Sequence, residues 1–217
     1  MQALNHSAYL ALREGARVIE ADGSGDKVLV LADGTMLKFF RRKRLVSSAL
    51  LFPYARRFAT NTQALRRRGV PCPGVLNVYR IPSIERDAVH YQPLPGETVR
   101  HLYLAGAPAD LRVRLGRFVA ELHGKGVYFR SLHLGNIVVG VDQHLGLIDV
   151  ADMTCQRRAL SAAKRLRNFQ HMARYRKDME WLIGADGAQP FLQGYEQGLG
   201  DHSVSTRLMP RLGALFG

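Results

Sequence analysis

At 217 residues with 47% hydrophobic side chains, the chain is long enough for one large domain or for two small ones sharing a cleft, and too apolar for global disorder. Its two cysteines, Cys72 and Cys155, exclude a disulfide framework, and neither has a second cysteine at metal-ligand spacing. Charge is the outlier: 31 Lys and Arg face 18 Asp and Glu, a formal +13.

In chain order, residues 17–22 and 27–32 read as short strands around Gly23-Ser24-Gly25-Asp26. Asp33-Gly34 is a two-residue hairpin signal leading into a third strand at 35–40, which makes an antiparallel meander. A helix follows over 53–68. Pro53 suits its first turn, Phe58, Thr62 and Leu65 share one face, and Gly69 stops it. Strands at 75–81 and 88–92 come next, and Pro93-Leu94-Pro95-Gly96 marks a boundary, predicting domains at 1–93 and 94–217. The second part opens with a helix at 108–123, with Leu111, Leu115, Phe118, Val119 and Leu122 as its stripe and Gly124 as its end. A polar segment runs to Asn136. A hairpin then pairs 137–139 with 145–150, and helix returns over 160–183, 189–199 and a weak terminal stretch. Repeats and low-complexity tracts are absent, as is any apolar run near the ~18–20 residues that span a bilayer. The first fifteen residues lack a basic segment followed by an apolar one, so a cytoplasmic location is expected.

The positive charge is concentrated. Residues 34–84 carry eleven basic side chains and no acid, and residues 153–177 carry eight and no acid; outside these blocks the chain is mildly acidic, at −6. An ordinary surface intersperses both signs. Two acid-free blocks point to phosphates, nucleic acid or anionic lipid as partners.

The order of elements carries more than any single motif. A glycine turn between strands precedes a strand lysine, Lys38. A helix, two strands and a Pro/Gly hinge follow, then a helix ending Leu122-His123, a loop holding Asn136, and a strand ending in Asp149. This order resembles the protein-kinase-like fold. The nearer resemblance is to the bacterial lipopolysaccharide core (heptose/Kdo) kinases and their InaA-type, toluene-tolerance-like relatives. It is carried by residues 122–136 (LHGKGVYFRSLHLGN) and 147–152 (LIDVAD), with the thirteen-residue interval from Asn136 to Asp149 matching the kinase pattern.

The resemblance implies an α+β, two-lobed fold with a small antiparallel-sheet N-lobe and a mainly helical C-lobe. It implies ATP and Mg²⁺ as cofactors, with Asn136 and Asp149 as metal ligands. Lys38, Arg130, Ser131, His133, Asn136 and Asp149 are the catalytic candidates, and Gly23, Gly25, Lys38, Gln92 and Leu94 fall toward the nucleotide. The chemistry of these positions agrees. An amide oxygen and a carboxylate are hard ligands suited to Mg²⁺, and phosphoryl transfer asks mainly for positioning and charge neutralisation. His123 reads as a packing residue.

Two departures stand out. Kinases place an Asp where Ser131 stands, five residues before the Asn, leaving His133 or Asp152 as substitute bases. The usual Glu partner of the strand lysine is also missing, with Gln63 nearest to its place. The implied activity is transfer of the γ-phosphate to a hydroxyl of an anionic, sugar-containing acceptor, free or lipid-linked, with peripheral contact at the inner membrane. About ten residues separate Asp149 from the next helix, too few for a peptide-binding activation segment. The first alternative is a pseudokinase that binds nucleotide without transferring phosphate. The second is a basic nucleic-acid-binding protein, disfavoured because no recognition motif accompanies the charge.

Overall fold

Alternation along one strand organises the first part of the molecule. In β4 (Met36–Arg41), Phe39 meets Tyr9 edge to face at 6.1 Å, whereas Phe40 stacks on Tyr54 at 6.3 Å. Odd and even residues therefore face different helices, as a period of two demands. Lys38 lies on the even face.

The computed structural model describes residues 1–23, 25–41, 52–200 and 202–216. Ser24 of the glycine turn and Arg42, Lys43 and Arg44 of the first basic block lie outside these residues. The chain divides into two compact units, one comprising Met1–Leu94 with Asp149–Asp152, the other Pro95–Ile148 with Met153–Gly217. The fold class is α+β, with a sheet-based first unit and a mainly helical second one.

In the first unit, β1 (Gln2–Ala3), β2 (Arg17–Asp22), β3 (Gly25–Val30), β4, β5 (Gly74–Ile81) and β6 (Arg86–Gln92) form one sheet in the order β1-β5-β6-β4-β3-β2. The meander β2-β3-β4 is antiparallel as expected. Its second turn is longer than the sequence signal suggested. Leu31 N–H donates to the Thr35 carbonyl at 2.8 Å, so three residues, not two, close the hairpin. Gly34 takes φ +80°, and Asp33 accepts from the Thr35 amide and hydroxyl.

Helix α1 (His6–Arg13), which the sequence reading lacks, covers the odd face; Tyr9 joins Leu29, Leu37, Phe39 and Ile81 in a buried cluster. Its apolar face is short, with Tyr9 buried and Leu12 partly buried against that cluster, and its start is fixed by Asn5, whose side chain accepts from Ala8 N–H. Helix α2 (Tyr54–Arg66) covers the even face through buried Phe58 and Leu65, and Phe58 packs on Tyr91 at 5.4 Å.

The second unit contains α3 (Val99–Leu104), α4 (Leu111–Gly124), α5 (Ala162–Met172), α6 (Arg176–Ile183), α7 (Gln189–Gln197) and α8 (His202–Phe216). Its strands are short. β7 (Glu97–Thr98), β9 (Ile137–Val139) and β10 (Leu145–Leu147) form one sheet, and β8 (Val127–Phe129) pairs with β11 (Met153–Cys155). All five stripe residues of α4 are buried.

Several expected boundaries move. Helix α4 starts at Leu111, because Pro108 sits in the preceding turn and its carbonyl accepts Leu111 N–H. It runs through Gly124, and the left-handed residue is Gly126 at φ +74°. The strand expected over 145–150 ends at Leu147, since 150–152 is a 3₁₀ turn. The continuous helix expected over 160–183 is broken between α5 and α6. At the break, Tyr175 leaves helical geometry (φ −92°, ψ 79°) and packs its ring against His133 at 4.3 Å.

Phe169, Phe191, Tyr195 and Phe216 fill the core in edge-to-face pairs 5.0–6.0 Å apart. Helices α4 and α7 cross backbone to backbone: a Cβ on Gly116 would lie 2.1 Å from the Phe191 carbonyl oxygen, and one on Gly194 2.0 Å from that of Val113. Gly116→Ala should therefore destabilise the protein by at least about 1–3 kcal/mol, the usual cost of overpacking a core. Urea unfolding of the variant against the wild type measures this.

Candidate functional site

The first unit brings together two of the predicted residues. Lys38 Nζ lies 2.9 Å from Asp149 Oδ1, with the lysine largely sheltered and the carboxylate partly open. Lys38 is centred between Val28 of β3 and Val89 of β6, both buried, which fixes its stem. Asp149 holds φ +52°, a left-handed conformation that is uncommon for residues with a Cβ and that Asp enters more readily than most. The backbone is held next door: the Val150 carbonyl accepts from Asn61 Nδ2 at 2.7 Å, and Asn61 is a buried residue of α2. Burial pushes the Tyr91 phenol well above its ordinary range, and the Asp149 carboxylate adds to the shift.

This geometry corrects the expectation for Gln63. That side chain is exposed on α2. The partner of Lys38 is Asp149, so the lysine does not stand in uncompensated positive surroundings. The contribution of α2 is instead Asn61, which holds the backbone beside Asp149.

The second unit gathers Arg130, Ser131, His133 and Asn136 on one loop. The loop leaves β8, where Asn168 brackets Phe129 by donating to its carbonyl at 2.7 Å and accepting from its N–H at 3.4 Å. Asn136 closes the 3₁₀ turn Leu134–Asn136 and is buried. Its Nδ2 donates to the Ser131 carbonyl at 2.9 Å. That bond fixes the orientation of the amide and presents Oδ1 as the acceptor. The β9–β10 hairpin is closed on the same residue, with Ile148 N–H donating to the Asn136 carbonyl at 3.0 Å.

A buried carboxylate holds this loop. Asp178 on α6 is 1% exposed. It accepts Arg100 Nε and Nη2 at 2.8 and 2.7 Å, Leu134 N–H at 2.9 Å and Tyr103 Oη at 3.3 Å. The bidentate pair neutralises it, and the amide ties the loop to α6. Arg100 Nη2 also lies 3.4 Å from His133 Nδ1. A guanidinium can only donate, so Nδ1 accepts and the neutral ring carries its proton on Nε2.

The remaining candidates are placed more simply. Gly23 and Gly25 flank the β2–β3 turn with open space where a Cβ would point, and Gly25 takes φ +107°. Gln92 ends β6 in register with Gly74 and is exposed, and Leu94 is half-buried. Asp152 ends the 3₁₀ turn Val150–Asp152. His123 is fully buried between Tyr195 Oη at 2.8 Å and Asn168 Oδ1 at 3.2 Å, as its packing role requires.

The sequence reading missed Asn61, Arg100, Asn168 and Asp178. Only Asp178 left a signal: it is the first acid after the acid-free run 153–177. No protein-family model matches the chain. Over 70 residues it is 41% identical to a probable SapB synthase of Streptomyces coelicolor, a match that takes in 32% of this chain and 7% of that protein. The structure is similar to that of the bifunctional kinase-methyltransferase WbdD, with a TM-score of 0.47 and 15% identity over 89% of this chain and 42% of WbdD.

Two predictions follow from the buried charges. Burial depresses His123 from 6.5 to about 3, with the Arg165 cation adding to the shift. The unfolded chain therefore takes up this proton first, and stability should fall as pH drops from 6.5 toward 3. Melting temperature against pH should flatten in His123→Gln. Asp178→Ala should cost about 1–3 kcal/mol, less than a fully buried pair because Arg100 is partly exposed, as read by urea unfolding.

Proposed function

We propose that the chain is an ATP-dependent phosphotransferase of two-lobed kinase-like architecture, acting on a hydroxyl of an anionic, sugar-containing acceptor. The observation that carries this reading is the Lys38–Asp149 pair at 2.9 Å. It joins the lysine of the third meander strand to the acid that follows the β9–β10 hairpin, as the kinase order of elements requires.

Bound ATP with Mg²⁺ would supply the transferable phosphoryl group and the cation that offsets its charge. The residues fit that role. Among the described residues no group of three or more His, Cys, Asp or Glu could form an all-protein cage. Mg²⁺ commonly takes only one or two protein oxygens and leaves its other positions to phosphates and water. Asp149 offers a carboxylate in the first unit, and Asn136, whose Nδ2 is engaged by the Ser131 carbonyl, offers its amide Oδ1 in the second. Lys38 then holds phosphate oxygens, and the open glycine turn at Gly23 and Gly25 lets backbone N–H groups come close to them.

The acceptor side is supported by charge and by length. Residues 153–161, between the Asp149 segment and α5, are too few for a peptide-binding segment, and the run 153–177 carries eight basic side chains and no acid. The missing carboxylate at Ser131 slows proton removal. Phosphoryl transfer through a loose transition state relies chiefly on positioning, so transfer persists at a reduced rate. The second reading, nucleotide binding without transfer, draws on Ser131 and on the Arg100–His133 contact, which takes Nδ1 out of use as a base.

Transfer of labelled γ-phosphate to purified lipopolysaccharide core oligosaccharide separates these readings. Wild type should transfer, Asp149→Ala should lose activity, and Ser131→Asp should gain up to ~10²–10⁴-fold, the usual worth of a general base. Absence of transfer to any sugar acceptor, with nucleotide still bound, would establish the second reading. Absence of nucleotide binding would sink both.

A further inference from the structure

Most ion pairs in the protein use its few acids one for one: Arg13 with Asp26, Arg80 with Asp87, Arg100 with Asp178, Arg112 with Asp186. The second basic block is treated differently. Among the described residues, Arg157, Arg158, Arg167, Arg174, Arg176 and Lys177 are all exposed and none forms an ion pair.

These cations share a surface because of how α5 is buried. Its inner side, Leu166, Phe169 and Met172, packs toward α8 and β8. Its outer side presents Lys164, Arg167 and Gln170 at helical spacing, and Arg174 continues the row just past the helix. Lys164 Nζ donates to Gln156 Oε1 at 2.7 Å, which fastens the Arg157-Arg158 segment beside that row. The row then runs into α6. There Asp178 turns inward to Arg100, while Lys177 and Trp181, four residues apart, share a face on which the exposed Glu180 is the neighbouring acid.

Trp181 is the only tryptophan of the chain. It is half-buried and stacks on Tyr103 at 5.2 Å, and the next residue of α3, Leu104, is 73% exposed. Unpaired cations beside a Trp–Tyr pair and a bare leucine are the ingredients of a surface that meets lipid headgroups with charge and the acyl boundary with apolar groups.

We propose that this face, formed by the outer row of α5, the α5–α6 junction and the Tyr103–Leu104–Trp181 patch, docks on an anionic membrane surface. The face shares the basic run 153–177 with the acceptor side of the phosphotransferase reading, but none of its residues is assigned to nucleotide binding or transfer, so vesicle binding without nucleotide tests it separately. Nucleic acid fits the face less well. The Trp181 ring is already covered by Tyr103 and offers no open platform for a base. A row of outward cations suits an anionic surface, where each Lys or Arg near the headgroups adds on the order of fivefold to partitioning.

The test uses the full chain and vesicles of phosphatidylglycerol with phosphatidylcholine, against pure phosphatidylcholine. Co-sedimentation should occur with the anionic vesicles alone and fade at high salt. Trp181 emission, free of any other tryptophan, should shift to the blue on binding. The triple variant Arg157→Glu, Arg158→Glu, Arg167→Glu should weaken binding at least tenfold. Leu104→Glu should reduce the blue shift; both variants should keep the wild-type circular dichroism. If the triple variant misfolds, Arg174→Gln with Lys177→Gln should weaken binding severalfold. Equal binding to both vesicle types, no binding to either, an unshifted emission, or a preference for duplex oligonucleotide over anionic vesicles would each overturn the proposal.

Discussion

A carboxylate that is 1% exposed must be neutralised and hydrogen-bonded where it sits, and Asp178 meets that demand with three groups from two places in the chain. Arg100 comes from α3, Tyr103 from the same helix one turn on, and Leu134 N–H from the loop after β8. The loop bearing Ser131, His133 and Asn136 is thus fixed by a charge, not by apolar packing alone. The same constraint explains the break between α5 and α6: a continuous helix would not let Tyr175 turn its ring onto His133 while Asp178, three residues later, reaches the loop.

A second constraint is the scarcity of acid. With 18 acidic residues against 31 basic ones, where each carboxylate goes decides what every cation can do. Asp149 goes to Lys38, and Asp178 goes to Arg100. Residues 153–177 receive none, and their outward cations are left to solvent or to an external anion. The net charge thus gathers in two acid-free stretches, 34–84 and 153–177, and bears on partners more than on the fold itself.

Much of this was legible beforehand, for physical reasons. The β2-β3-β4 meander follows from alternation and turn residues, α2 from its apolar face and glycine stop, and α4 from an unbroken stripe. Where tertiary contacts override local pattern, the reading missed. Helix α1 is eight residues long and packs mainly through Tyr9 and Leu12, too short an apolar face to stand out from one sequence. The Asp33-Gly34 turn gained a residue because Asp33 bonds Thr35 and draws it into the loop. At the candidate site, Lys38 and Asp149 were visible as a strand lysine and a strand-end acid, but their pairing was not, and Gln63 was assigned a place that belongs to no side chain of α2. Arg100 and Asn168 act through bonds to residues 78 and 39 positions away, distances over which one sequence carries no signal.

The central claim is that Lys38 and Asp149 form part of a nucleotide site. Calorimetric titration of the full chain with ATP in the presence of Mg²⁺ tests it most directly. The predicted result is saturable one-to-one binding that is lost in Lys38→Ala and in Asp149→Ala, with both variants still folded by circular dichroism. Heats no different from dilution, or binding that survives both substitutions, would contradict it.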